Sequence, residues 1–261
     1  MKLSKTVDGQ PCWFEIASSD PARSFAFYAG VFGWTKADQD LGEMGTYSFL
    51  ANGNGAIGAL CALPPGDAGP SRWSVYFQVA DCDAAAKRVE SLGGTVVAAP
   101  FDVQGHGRML VATDPGGATF CLWQPTTPGG GEMAMFEDHA IGWVELATRD
   151  VPAAQAFYGA LLGWTCERST SNAMPEGVTY VEYAVGGTRY GGMLEMTKEW
   201  GDMPSHWAVY VLVPDVDATV ARALELGGAN PVPAFDAAGV GRIALIAEPT
   251  GAYCYVIRLA R

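Results

Sequence analysis

Residues 13–34 read WFEIASSDPARSFAFYAGVFGW, and residues 143–164 read WVELATRDVPAAQAFYGALLGW. Trp13, Glu15, Asp20, Phe27, Tyr28, Gly33 and Trp34 each have an identical partner 130 residues later: Trp143, Glu145, Asp150, Phe157, Tyr158, Gly163 and Trp164. That spacing is far longer than the period of a solenoid repeat, and it predicts two copies of one domain. Both copies carry the same local signals. The alternation around Phe14 and Ile16 predicts a strand with two unlike faces. Asp20-Pro21 supplies a helix N-cap and a first-turn proline. Phe25, Tyr28, Ala29 and Phe32 then fall on one stripe of the helix, which Gly33 ends.

Outward from this stretch, Tyr47–Leu50 and Ala56–Cys61 read as strands around an Asn-Gly-Asn-Gly turn. After a loop at 64–71, Arg72–Val79 is another two-faced strand, and Asp81–Leu92 is a helix closed by Gly93-Gly94. Val96–Ala98, Arg108–Ala112 and Ala118–Trp123 read as strands. The second half repeats this plan at an offset of 134, matching Tyr76 to Tyr210, Arg108 to Arg242 and Gly117 to Gly251. The chain is therefore read as a first domain at 1–125 (units 11–63 and 71–125), a linker at 126–139, and a second domain at 140–261 (units 140–197 and 204–259). The linker's Pro-Gly-Gly-Gly run, Pro128–Gly131, predicts a flexible start, and its apolar Met133–Phe136 is expected to dock. The class is α+β, with four βαβββ units in tandem.

A net charge of −12 argues against nucleic acid, which rewards basic patches, and against an anionic membrane surface. The sequence has no run of ~18 apolar residues to span a bilayer, and its first residues lack the apolar stretch of a signal peptide. Cysteines at 12, 61, 82, 121, 166 and 254 form no CxxC pair and read as reduced thiols. A cytoplasmic protein is expected. The glycine runs match no phosphate loop, so neither a nucleotide nor another cofactor is expected.

FAFYAGVFGW, VADCDA and TDPGGATFCLW, and then AFYGALLGW, VPDVDA and AEPTGAYCYVI, resemble the vicinal oxygen chelate (VOC) superfamily of glyoxalases, bleomycin-resistance proteins and extradiol dioxygenases. The resemblance spans nearly the whole chain. It implies that each pair of units curls an eight-stranded sheet around a cleft. It also implies where a metal would be held: by three side chains, typically His, Gln or Glu, from three strands. Carried over by register, those positions are Trp13, Ser74 and Cys121 in the first domain and Trp143, Ala208 and Tyr255 in the second. Divalent metals need imidazole, carboxylate or thiolate ligands. Only Cys121 could supply one, so no metal site is expected.

Alternation points Phe14, Ile16, Val75, Phe77, Val144, Leu146, Val209 and Val211 toward the helices. It points Trp13, Glu15, Arg72, Tyr76, Cys121 and Trp123 into the first cleft, and Trp143, Glu145, His206, Tyr210 and Tyr255 into the second. Aromatic walls with a few polar groups suit a small-molecule pocket; large aromatics also fill space as plain core. If the two leading strands of each domain pair antiparallel with their ligand positions level, Glu15 faces Arg72 and Glu145 faces His206. Arg72 would then neutralise Glu15 or grip a ligand carboxylate or carbonyl. Glu145 and His206 would form a catalytic acid/base pair, or His206 would be a satisfied core histidine. Cys121 reads as a buried inert thiol, His106 as a loop or cleft-rim residue and His139 as solvated.

Two classes of function follow. One is a binding protein without the metal triad, holding a small aromatic metabolite or antibiotic in a hydrophobic cleft. The other is a metal-independent lyase or oxygenase, glyoxalase-type or hydroxylase-like. Four units in one chain can complete two clefts unaided, which points to a monomer rather than a homodimer.

Overall fold

The computed structural model describes residues 2–3, 6–42, 45–103, 105–127, 133–171, 173–174 and 176–260. After a short strand β1 (Lys2–Leu3), the first unit runs β2 (Pro11–Ser18), α1 (Pro21–Phe32), β3 (Thr35–Asp40), β4 (Thr46–Ala51) and β5 (Ala56–Ala62). The second is β6 (Arg72–Gln78), α2 (Cys82–Ser91), β7 (Thr95–Val103), β8 (Gly107–Thr113) and β9 (Thr119–Pro125). Strand β10 (Met133–Ala134) precedes the third unit: β11 (Ile141–Thr148), α3 (Val151–Leu162), β12 (Thr165–Arg168), β13 (Tyr180–Val185) and β14 (Thr188–Glu195). The fourth is β15 (His206–Leu212), α4 (Val216–Glu225), β16 (Ala229–Ala237), β17 (Gly241–Ala247) and β18 (Tyr253–Leu259).

The repeated signals produce repeated helices. The Asp20 carboxylate accepts from the Arg23 N–H and the Asp150 carboxylate from the Ala153 N–H, each meeting one of the first turn's orphan donors. Gly33 and Gly163 end their helices at φ 72° and 71°, in the left-handed region where a side chain would be strained. Strands β3 and β12 do not show in the hydrophobic pattern. Thr35–Asp40 is exposed at every position, so it has no buried face to impose alternation.

Each domain forms one sheet. The second is ordered β12-β13-β14-β11-β15-β18-β17-β16, and the first has the corresponding order with β1 and β10 added beside β5. The units therefore pair within each half, through antiparallel β2–β6 and β11–β15. The rows expected to face the helices do so: Phe14, Ile16, Val75, Phe77, Val144, Leu146, Val209 and Val211 are all essentially inaccessible. Both sheets curl. In the second, Ser171, just beyond β12 at one end, bonds the Ala238 carbonyl beyond β16 at the other. In the first, Phe49 of β4 meets the His106 ring from the β7–β8 turn at 6.5 Å.

The helix-bearing sides of the two sheets share one core. Phe77 of β6 packs against Tyr158, Trp164 and Trp207 of the second half. Phe27 of α1 lies so close to Gly228, and Phe157 of α3 so close to Gly94, that a Cβ at either glycine would collide or crowd. The halves are also wired crosswise: the Trp34 indole N–H donates to the His139 carbonyl (2.8 Å) and that of Trp164 to the Gly9 carbonyl (2.7 Å). His139 is thus half-buried at a junction rather than solvated, with a left-handed backbone (φ 60°) where its counterpart is glycine. Met133, Ala134 and Met135 are buried, so this part of the linker docks.

Candidate functional site

The face of each sheet away from the helices has its own small cluster. In the first domain Cys12, Tyr76 and Cys121 are buried against Trp13, Met109, Val111 and Trp123. In the second, Tyr210, Ala237, Ile243 and Ile257 pack with Trp143, Leu212 and Tyr255. Tyr210 and Tyr255 stack at 4.4 Å with their planes 12° apart. The expected aromatic residues are therefore brought together on the cleft floors.

One hydrogen-bonded array stands on both floors. The Trp13 indole N–H donates to the Tyr47 hydroxyl (2.9 Å), which donates to the Glu15 carboxylate (2.9 Å). The Trp143 N–H donates to the Tyr180 hydroxyl (2.8 Å), which donates to Glu145 Oε2 (2.8 Å). Tyr210 donates to Glu145 Oε1 (2.8 Å), so both oxygens of this buried carboxylate are occupied. Burial pushes the Glu145 pKa up, opposed by the Tyr210 and Tyr180 donors, which favour the ionised form. Glu15 is raised for the same reason, opposed by Tyr47, Tyr76 and Cys61. Burial also raises the Cys121 thiol well above its ordinary value, and the Glu15 charge adds to this, which favours the thiol over the nucleophilic thiolate.

Two expected pairs do not form. Glu15 lies opposite Ser74, while Arg72 lies opposite Ala17 and pairs with Asp67. Glu145 lies opposite Ala208, while His206 lies opposite Ala147. His206 Nδ1 is 2.9 Å from the Pro204 carbonyl, and its ring packs against Trp200 and Tyr253. With Glu145 taken by two tyrosines, Glu145 and His206 are no acid/base pair. The expected register is off by two residues in both domains. A two-residue slip leaves every side chain on its own face, so alternation could not detect it. Tyr47 of β4 and Tyr180 of β13 were not expected on the floors, because they stand on inner strands of their units and not on the strands from which the family draws its ligands. The signal was present: each tyrosine stands near the start of a strand, thirteen residues after Trp34 and sixteen after Trp164.

The positions corresponding to the family's metal ligands hold side chains that do not fit a divalent cation. Trp13, Ser74 and Cys121 offer an indole, a hydroxyl and a single thiol, which alone does not make a site; Trp143, Ala208 and Tyr255 offer no better set. Among the described residues, no three His, Cys, Asp or Glu side chains are grouped so as to hold a metal. Arg108 and Arg242, which open strands in each half, are engaged outside the floors: Arg108 with Asp83 and Asp102, Arg242 with Asp217 and Asp236. Beside the second floor lies a cavity of about 340 Å³, bounded by Tyr180, Arg168, Ser169, Ser171, Met174 and Val178 among others.

Curled sheets of paired βαβββ units around aromatic floors define the class, and the sequence comparisons agree. Residues 11–122 match the Glyoxalase/Bleomycin resistance protein/Dioxygenase superfamily, and residues 143–257 match the Glyoxalase-like domain. The chain belongs to this superfamily. It is 36% identical to the "Anthracycline biosynthesis protein DnrV" of Streptomyces peucetius, over 98% of this chain and 96% of that one. It is 34% identical to the "Putative glyoxylase CFP32" of Mycobacterium tuberculosis, over 99% and 98%. Among solved structures, an extradiol ring-cleaving dioxygenase from B. fuscum aligns with a TM-score of 0.66 at 17% identity, covering 99% of this chain and 74% of that one. The Mn(II)-bound glyoxalase of Novosphingobium aromaticivorans aligns at 0.62 and 15%, covering 98% and 83%. These two likenesses concern the fold. No helix among the described residues is long and apolar enough to cross a membrane.

Proposed function

We propose that the chain binds a planar aromatic small molecule on its cleft floors, without a metal and as a single chain. The carrying observation is the twin Trp–Tyr–Glu array. It fixes one phenol in each cleft between an indole donor and a carboxylate acceptor, giving a preorganised polar point on an aromatic floor. The rims support the same reading. Phe101 and Phe235 occupy equivalent positions and are 45% and 43% exposed. Their strand partners, Met109 and Ile243, belong to the floor clusters. A flat ligand resting on a floor would cover these rings, and ring–ring contact contributes ~0.5–1.5 kcal/mol beyond area burial. The anthracycline relative makes a fused-ring quinone the first ligand to try.

Titration with daunorubicin, followed by tryptophan quenching, tests the proposal. Saturable quenching is expected, with the Phe101→Ala/Phe235→Ala double variant binding ~10-fold more weakly at an unchanged melting temperature. Unsaturable quenching, or equal affinity in the double variant, removes the reading. Stoichiometric Zn, Mn or Fe in protein purified without chelator removes its metal-free part, and a dimer in sedimentation removes its single-chain part. An enzymatic reading is favoured by one observation, the buried Glu145 carboxyl with its raised pKa. That reading requires chemical turnover of the bound ligand, lost in Glu145→Gln.

A further inference from the structure

The two halves meet along two related seams, and the seams differ. At one, Thr250 plugs the junction: its hydroxyl bonds Ser18 (3.2 Å), Ser24 (3.1 Å), Ser71 and Glu248. Ser71 there also accepts from the Ser19 N–H (3.0 Å) and lies 3.4 Å from the Ser18 hydroxyl. At the other seam the position of Thr250 is taken by Gly116, and that of Ser71 by Ser205. The plug is gone.

Its loss leaves polar groups over an open space. Ser205 is only 8% exposed, and its hydroxyl makes no hydrogen bond to any described residue. The Thr148 hydroxyl receives only a long contact from the Asp150 N–H (3.4 Å). Both residues, with Gly116, line a cavity of about 390 Å³, within the size range of small-molecule sites. A Cβ at Gly116 would stand 3.3 Å from the Thr148 hydroxyl and 3.4 Å from that of Ser205, near where the other seam has its threonine. The Ser205 hydroxyl thus faces this space with its donor and acceptor free of partners among the described residues, so that a ligand hydroxyl could bond it.

The charges around the cavity select the ligand. Arg149 donates to the Gly201 and Met203 carbonyls (2.5 and 3.0 Å) and also lies on the wall. Asp150 and Asp202 stand beside it. The carboxylates disfavour an anion and the guanidinium disfavours a cation, while the hydroxyls and carbonyls offer both donors and acceptors. We propose that this notch is a binding site for a neutral polyhydroxylated ligand with the chemistry of a sugar ring. The site lies on the helix-bearing side, away from the cleft floors, and does not depend on the ligand proposed for them.

Saturation-transfer NMR with methyl α-D-glucopyranoside tests the proposal on the full chain. Transfer to the ring protons is expected in the wild type and in the Phe101→Ala/Phe235→Ala variant. It should vanish in Gly116→Thr, which restores the plug, and the glucoside should bind ~5-fold more weakly to Ser205→Ala, the worth of one neutral hydrogen bond. The Ser205→Ala variant guards against a misfolded Gly116→Thr. No transfer to the wild type overturns the proposal, as does affinity unchanged in Ser205→Ala. Displacement of the glucoside by inorganic phosphate overturns the neutral assignment.

Discussion

Glu145 shows how one side chain can be placed correctly on a face and still be given the wrong neighbour. Its carboxylate was expected beside His206 and is instead held by Tyr180 and Tyr210. The face follows from a period of two, which the sequence displays; the register follows from which apolar residues meet across β11 and β15, which it does not. Val144 lies opposite Val209 and Leu146 opposite Trp207, and that packing fixes Glu145 opposite Ala208. Titration offers a direct check. Burial raises the Glu145 pKa above its ordinary 4.5, so between those values the folded chain holds a proton that the unfolded chain releases. This contribution to stability is full below pH 4.5 and is lost as pH rises through the raised pKa. Glu145→Gln cannot titrate. Melting temperatures measured from pH 4.5 to neutrality should fall in the wild type relative to the variant, and parallel curves would contradict the assignment.

Among the elements, those with a buried face were legible and those without were not. Helices α1 and α3 announce themselves through the same cap, stripe and glycine stop. Strands β3 and β12 carry mostly polar residues at sheet margins; β3 is exposed throughout and β12 sets only Cys166 against the core, and the observed pairing reveals them. The seams were also beyond reach, because Ser18, Ser24, Ser71 and Thr250 look like ordinary turn residues until the halves are brought together. Their hydroxyls form one connected network, with Ser18, Ser24 and Ser71 almost wholly buried. Thr250→Ala strips the shared partner from three serines and Glu248. Denaturant unfolding should show a loss of ~1–3 kcal/mol, the cost of leaving buried polar groups unmet; an unchanged midpoint would mean that water replaces the threonine at no cost.

For the whole molecule, two domains do not mean two folding units. The repeat predicts two domains, and two sheets are present, but their helix-bearing sides form a single apolar cluster. Phe77 of the first half touches three aromatics of the second, so neither half can unfold without exposing the other's interior. Calorimetry should therefore give one transition with equal calorimetric and van't Hoff enthalpies; two resolved transitions would show that the shared core contributes little.

Strand β10 carries this dependence into the backbone. By hydrogen bonding it belongs to the first sheet, where Met133 lies beside Ala56 and Leu3, yet it follows the linker's glycines. Severed between residues 127 and 133, the chain would become two unlike subunits, one bearing a strand of the other's sheet and each offering a carbonyl to the other's indole. The covalent connection would then matter chiefly as effective concentration, keeping two matched but unequal partners within reach. In that sense the protein is a heterodimer written as one polypeptide.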